Sequence, residues 1–275
     1  MPILSIINQS GASYPESKLK LIAGDVQRAR PAGRSYDAPA ARGSMAMEAK
    51  AAGFEEKAFF EYHLYTLGRP TTLPDNSTKQ IELFPAARDV PCEKTLVYYG
   101  LMPGSYGYGA GPITDRNYGV QSNRKVDVYL GFKNSQDHNM GMPLPSGRIR
   151  VSKVDDADKT LEFIGENVID HTPKNEKVLI KLGSAFDVVG ERRQVDFRID
   201  TSRKSMAEDI EIKLRNQKQE PVTVIVKENL YRWINWQITS KTHDFEKQDA
   251  RTIQFPVKIA AGGEVTLRYS VQYTW

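Results

Sequence analysis

One cysteine in 275 residues, Cys92, rules out an intrachain disulfide, so the fold has to be held by its packed core. Cys92 follows Pro91 and has no histidine near it in sequence, which reads as a small, half-buried residue rather than a nucleophile. No apolar run approaches the roughly 20 residues that a membrane-spanning helix needs. An excess of one charge is missing too: 38 basic and 34 acidic residues leave a formal net charge of +4, with both signs interspersed, and this argues against a nucleic-acid partner. The start PILSIINQSG lacks a basic stretch and a cleavage site. Because Ile3, Ile6 and Ile7 already look like a strand under way, the chain is expected to be a piece of a longer protein.

Motifs that carry chemistry are equally scarce. The four histidines, His63, His138, His171 and His243, show no paired metal-ligand spacing, so no metal or other cofactor is expected. Gly104-Ser105-Tyr106-Gly107 falls short of a nucleophile elbow, and Gly107, Gly109 and Gly111 lack the lysine and helix of a phosphate loop. Asp155, Asp156 and Asp158 lie at a hairpin bend without the remaining ligands of a calcium loop, and turn chemistry explains them. Lys18, Lys20, Arg28, Arg30, Arg34 and Arg42 read as a solvated stretch.

What the chain has is alternation. PVTVIVKEN (221–229), WQITSK (236–241), RTIQFPVKI (251–259) and EVTLRYSVQYTW (264–275) place every second side chain on one face, with turn residues between the runs. Similar runs occur at 58–67, 78–86, 94–100 and 124–135, and a hairpin is expected over 147–169. The first unit, 3–26, reads as two strands joined by a turn around Gly11. The expected fold is all-β: an irregular domain over 1–190 and an immunoglobulin-like sandwich over 191–275, with the boundary placed at the charged GERRQ. Residues 28–46 lack an apolar period and are expected to form a mobile loop; MAMEAKAAGFEEK (45–57) predicts a short helix. Trp233, Trp236 and Trp275 are expected to anchor the second sandwich.

Several segments, SGASYPESKLKLIAGDV (10–26), YHLYTLGRPTTLPDNSTKQIELF (62–84), and above all IDHTPKNEKVLIKLGSAFDVV (169–189), resemble the bacterial domain-of-unknown-function family 4139, the C-terminal part of mucoidy-inhibitor-like proteins. The resemblance extends over essentially the whole chain. It implies a periplasmic or otherwise extracytoplasmic setting and an origin in a longer protein, with a variable insertion at 28–53. It supplies no catalytic residues.

Two functional readings follow. The first is a non-catalytic module that contacts a protein or a glycan through the Gly/Tyr-rich loop, with Tyr99, Tyr106, Tyr108 and Tyr118 as the binding residues. The alternative is a hydrolase acting on envelope polysaccharide or peptide through Asp170, His171 and Asp187. The bland reading of Asp170-His171-Thr172-Pro173 is an ordinary turn. Open strand edges also allow self-association into a homo-oligomer.

Overall fold

The computed structural model describes residues 3–24, 54–84, 86–101, 111–120 and 122–275. Among them are eighteen strands: β1 (Ile3–Asn8), β2 (Tyr14–Ser17), β3 (Lys20–Ala23), β4 (Phe54–Phe59), β5 (Tyr62–Leu67), β6 (Thr71–Leu73), β7 (Ser77–Glu82), β8 (Glu93–Tyr99), β9 (Lys125–Lys133), β10 (Gly147–Val154), β11 (Leu161–Ile169), β12 (Lys177–Asp200), β13 (Ser205–Asn216), β14 (Val222–Asn229), β15 (Trp236–Lys241), β16 (Glu246–Lys247), β17 (Thr252–Ile259) and β18 (Glu264–Thr274). The only helical turn in the described residues is a 3-10 turn at Gln136–His138. The fold is all-β, as the alternation predicts.

The chain divides into two units that interleave in sequence. The first holds residues 1–92 and 132–178, the second 93–131 and 179–275. A boundary near 190 is therefore corrected. β12 runs unbroken through that point, and GERRQ is strand: Arg192 is buried while its neighbours Glu191 and Arg193 are exposed. The helix predicted over 45–57 is corrected at its end, because Phe54 to Lys57 open β4 with the Phe54 ring in the core. The rest of that helix, and the loop expected at 28–46, lie outside the described residues.

In the first unit β1, β2 and β3 do not pair with their sequence neighbours, whereas β4 and β5 form a hairpin. β1 joins β7, β2 joins β6, and β3 and β4 flank β5. Phe54, Tyr65, Leu67, Ile81 and Leu83 form the core, with Leu4, Ile6 and Leu21 packed on it. The hairpin β10–β11 forms at the expected place, with a bulge between Val151 and Ser152. Asn134, fully buried, stitches the loops at its base by donating to the carbonyls of Met142 (2.7 Å) and Pro173 (3.0 Å) and accepting from Gly141 N–H (3.0 Å).

The second unit is one sheet in the order β15-β18-β13-β12-β9-β8-β14-β17-β16, in which β14 pairs in parallel with β8. It folds back on itself. β17 and β18 are far apart in that order, yet the rings of Phe255 and Tyr269 stack at 5.5 Å. The segment from β15 to β16 bridges the seam, since β15 pairs with β18 and β16 with β17. Two layers result, and the inward positions of the alternating runs fill the space between them: Ile253, Phe255 and Val257 from β17, Leu267 and Val271 from β18, Val224 and Val226 from β14, Ile210 and Ile212 from β13. Fully burying one such side chain contributes about 1.5–3 kcal/mol. Trp233, Trp236 and Trp275 pack against this core as expected.

Candidate functional site

The densest chemistry lies between the layers of the second unit, at inward positions where the alternation calls for apolar residues. Glu208 follows Met206 on β13, and Glu228 follows Val224 and Val226 on β14. Both are buried, and both are met by arginine. Arg192 on β12 donates to Glu228 Oε2 at 2.8 Å, and Arg232, just past β14, brings Nε to 2.6 Å from Glu208 Oε1. Tyr269 donates a very short hydrogen bond to Glu228, and Tyr273 and Tyr231 donate to Glu208 at 3.3 and 3.4 Å. Buried ions are tolerable only when charge and hydrogen-bonding capacity are matched in this way.

Burial and the adjacent carboxylates push the hydroxyls of Tyr269 and Tyr273 well above the usual tyrosine range, and burial pushes Tyr98 up to about 12. Burial alone would lower the Arg192 pKa, but the combined attraction of Glu228, Tyr269, Tyr231 and Glu208 exceeds that penalty and keeps the guanidinium charged. Two glycines make the room. A Cβ on Gly190 would come within 2.3 Å of the Tyr98 ring, and one on Gly100 within 2.3 Å of Arg192 Cδ.

Arg232 also ties down the end of the loop that joins β8 to β9. Its guanidinium donates to the carbonyls of Ile113 (3.0 Å), Asp115 (2.8 Å) and Tyr118 (3.3 Å) and to Gln194 Oε1 (3.1 Å), and it lies 4.3 Å over the Phe197 ring. Tyr118 is half-buried, with its ring 5.7 Å from that of Tyr231 and its carbonyl accepting from the Tyr231 hydroxyl. Tyr99 is also half-buried and hydrogen-bonded to Tyr129, and burial first, then this bond, raises its hydroxyl well above the usual range. Tyr106 and Tyr108 lie outside the described residues. This cluster closes on itself: carboxylates, guanidinia and hydroxyls are turned toward one another inside the sandwich. Its chemistry is cohesion.

The residues of the hydrolase reading fall elsewhere. Asp170 and His171 belong to the first unit and Asp187 to the second. His171 Nδ1 accepts the Ser146 backbone N–H at 3.1 Å, and the Asp170 carbonyl accepts from the Thr172 hydroxyl at 2.8 Å, beside the Leu144–Thr172 bridge. This is turn chemistry at the base of β10–β11. His63 pairs with Glu56 at 2.7 Å, and His243 meets the Thr242 hydroxyl at 2.9 Å. At the hairpin tip Asp155 and Asp158 accept turn N–H groups at 2.8 and 3.0 Å, as their spacing suggests. Among the described residues no group of three or more His, Cys, Asp or Glu is placed to hold a metal ion. Cys92, expected to be half-buried, is exposed.

Two exposed apolar surfaces went unread in the sequence, both in the first unit. On the outer face of β3–β5–β4, Ile22 lies beside Leu64 and Phe59 beside Tyr62 in register, and Phe60, 87% exposed, occupies the turn at a positive φ of 57°. The second is one face of the β10–β11 hairpin, where Val154, Leu161, Phe163 and Val168 are exposed. Alternation identifies a face as apolar but does not say whether anything covers it.

Compared with protein-family models, curated proteins and solved structures, the chain matches none.

Proposed function

We propose that the chain is a non-catalytic β-sandwich module that works by contact with a protein or glycan, as part of an envelope or exported protein. The observation that carries this reading is the aromatic turn of β4–β5. A bulky side chain at positive φ costs roughly 1–3 kcal/mol. Phe60 bears that strain with its ring in water, next to exposed Phe59 in the chain and 6.3 Å from the Tyr62 ring. Contiguous exposed rings on a soluble surface mark contact sites, because they stack on sugars or fill partner pockets at low entropic cost. The extracytoplasmic setting rests on the resemblance to family 4139 alone.

In this reading the Gly/Tyr loop has two parts. Tyr118 and Tyr99 hold its ends against the sandwich, and Tyr106 and Tyr108 remain the loop residues proposed for binding. The experiment is capture from a bacterial envelope extract and on a glycan array, comparing the wild type with Phe59→Ser/Phe60→Ser and with Tyr106→Ala/Tyr108→Ala. Loss of a bound species in either variant at unchanged melting temperature supports contact at that surface. Unchanged binding in both variants refutes both surfaces.

A further inference from the structure

The β10–β11 hairpin forms a sheet of its own, joined to no third strand and making no extended contact with one among the described residues. A lone two-stranded ribbon is marginal in water. Its rungs, read in register from base to tip on one face, are Arg148/Val168, Arg150/Glu166, Ser152/Phe163 and Val154/Leu161, followed by the acidic turn Asp155-Asp156-Ala157-Asp158. Val168, Leu161 and Phe163 are 67%, 61% and 59% exposed. Arg148 and Arg150 share Glu166 at 2.8 and 3.0 Å, which leaves the base of this face positive and the tip negative.

We infer that this face packs against the same face of a second copy, with the two hairpins antiparallel about a two-fold axis between the second and third rungs. The order of the rungs is its own complement under that operation. Val168 meets Leu161 and Val154 of the second copy, the Phe163 ring covers the Arg150 stem, and the acidic tip reaches Arg148. Charge and apolar surface are matched at once, as an isologous contact requires. Edge-to-edge pairing is disfavoured, since bulges and charged side chains blunt strand edges, and this ribbon has the Val151/Ser152 bulge with Arg148, Arg150 and Lys153 along β10. A face about 26 Å long and about 10 Å wide removes roughly 500 Å² from water over both copies, well below a standard interface, so the association is weak and reversible. It does not rest on the Phe59/Phe60 contact.

The test is sedimentation velocity of the full chain from micromolar to millimolar concentration. The wild type is expected to shift reversibly toward dimer at the upper end, and Leu161→Ser/Phe163→Ser to stay monomeric. Arg148→Glu alone and Asp155→Lys/Asp156→Lys alone should each be monomeric, while an equimolar mixture of the two should dimerise again, because each contact then joins opposite charges. A wild type that remains monomeric at millimolar concentration overturns the inference, including the case where the hairpin instead captures a different protein. Dimerisation unaffected by Leu161→Ser/Phe163→Ser, or a mixture that fails to recover, overturns it as well. Partner capture by Phe59/Phe60 is scored separately at concentrations where the chain is monomeric, so either idea can fail alone.

Discussion

Arg232 Nε lies 2.6 Å from Glu208 Oε1 with both side chains almost completely buried, yet its N–H does not point along a hydrogen bond to that oxygen. Charge holds the pair, and the other guanidinium nitrogens are free to bond the carbonyls of Ile113, Asp115 and Tyr118. One buried cation thereby links β13 to the end of the β8–β9 loop.

Removing one partner should strand the other charge in the core. Glu208→Leu and Arg232→Met are each expected to lower stability by about 3–5 kcal/mol, and the double substitution by clearly less than the sum of the two. Urea unfolding of the four proteins in the cycle measures this. Additive losses would show that the two residues do not act as a pair.

Glycine at 190 is a matter of space. Gly190→Ala puts a methyl group into the Tyr98 ring and should cost about 1–3 kcal/mol, with Tyr98→Leu on the same background recovering part of it. Thermal denaturation is sufficient to check this, and a fully stable Gly190→Ala would contradict the packing described.

Alkaline pH should unfold the protein through its tyrosines. Burial raises Tyr65 and Tyr98 to about 12 in the folded chain, and Tyr269 and Tyr273 rise well above 10. A raised phenol pKa means that the folded state favours the neutral ring. The resulting stability is fully present below the unfolded value near 10 and is lost as pH rises from there through the folded values. Phenolate absorbance should therefore appear in two phases, the second coinciding with loss of the β circular dichroism signal. A single phase near 10 with the fold intact would count against it.

His171→Ala should loosen the base of β10–β11 by about 1 kcal/mol, the net worth of the lost bond from Ser146 N–H, with faster amide exchange confined to the hairpin. His171→Asn, which keeps an acceptor, should recover part of the protection. If His171→Ala instead abolished a hydrolytic activity with hairpin exchange unchanged, the hydrolase reading would gain its first support.

The four C-terminal runs were legible as strands because each keeps period two without interruption, and they became β14, β15, β17 and β18. Pairing partners were not legible. Alternation fixes which way Val224 points, but nothing local says that β14 lies beside β8, more than a hundred residues earlier, so a boundary drawn along the sequence missed the interleaving of the units. The polar cluster was hidden for a related reason: a glutamate in a strand is ordinarily assigned to the solvent face. The signal was present in the register, since Glu208 and Glu228 occupy the same parity as Met206, Ile210, Val224 and Val226. Phe60 read as one more apolar residue in a strand, and its positive φ at a turn is a backbone property that composition does not carry.

The central claim is that the chain acts through exposed rings on a rigid scaffold. It is tested most directly by quantitative capture from envelope extract with the wild type and Phe59→Ser/Phe60→Ser side by side, each with its melting temperature. The account predicts at least a tenfold loss of one bound species in the variant, about 1.4 kcal/mol or more of binding free energy, with the melting temperature unchanged or raised. Undiminished capture, or a loss of capture that tracks a loss of stability, would contradict it.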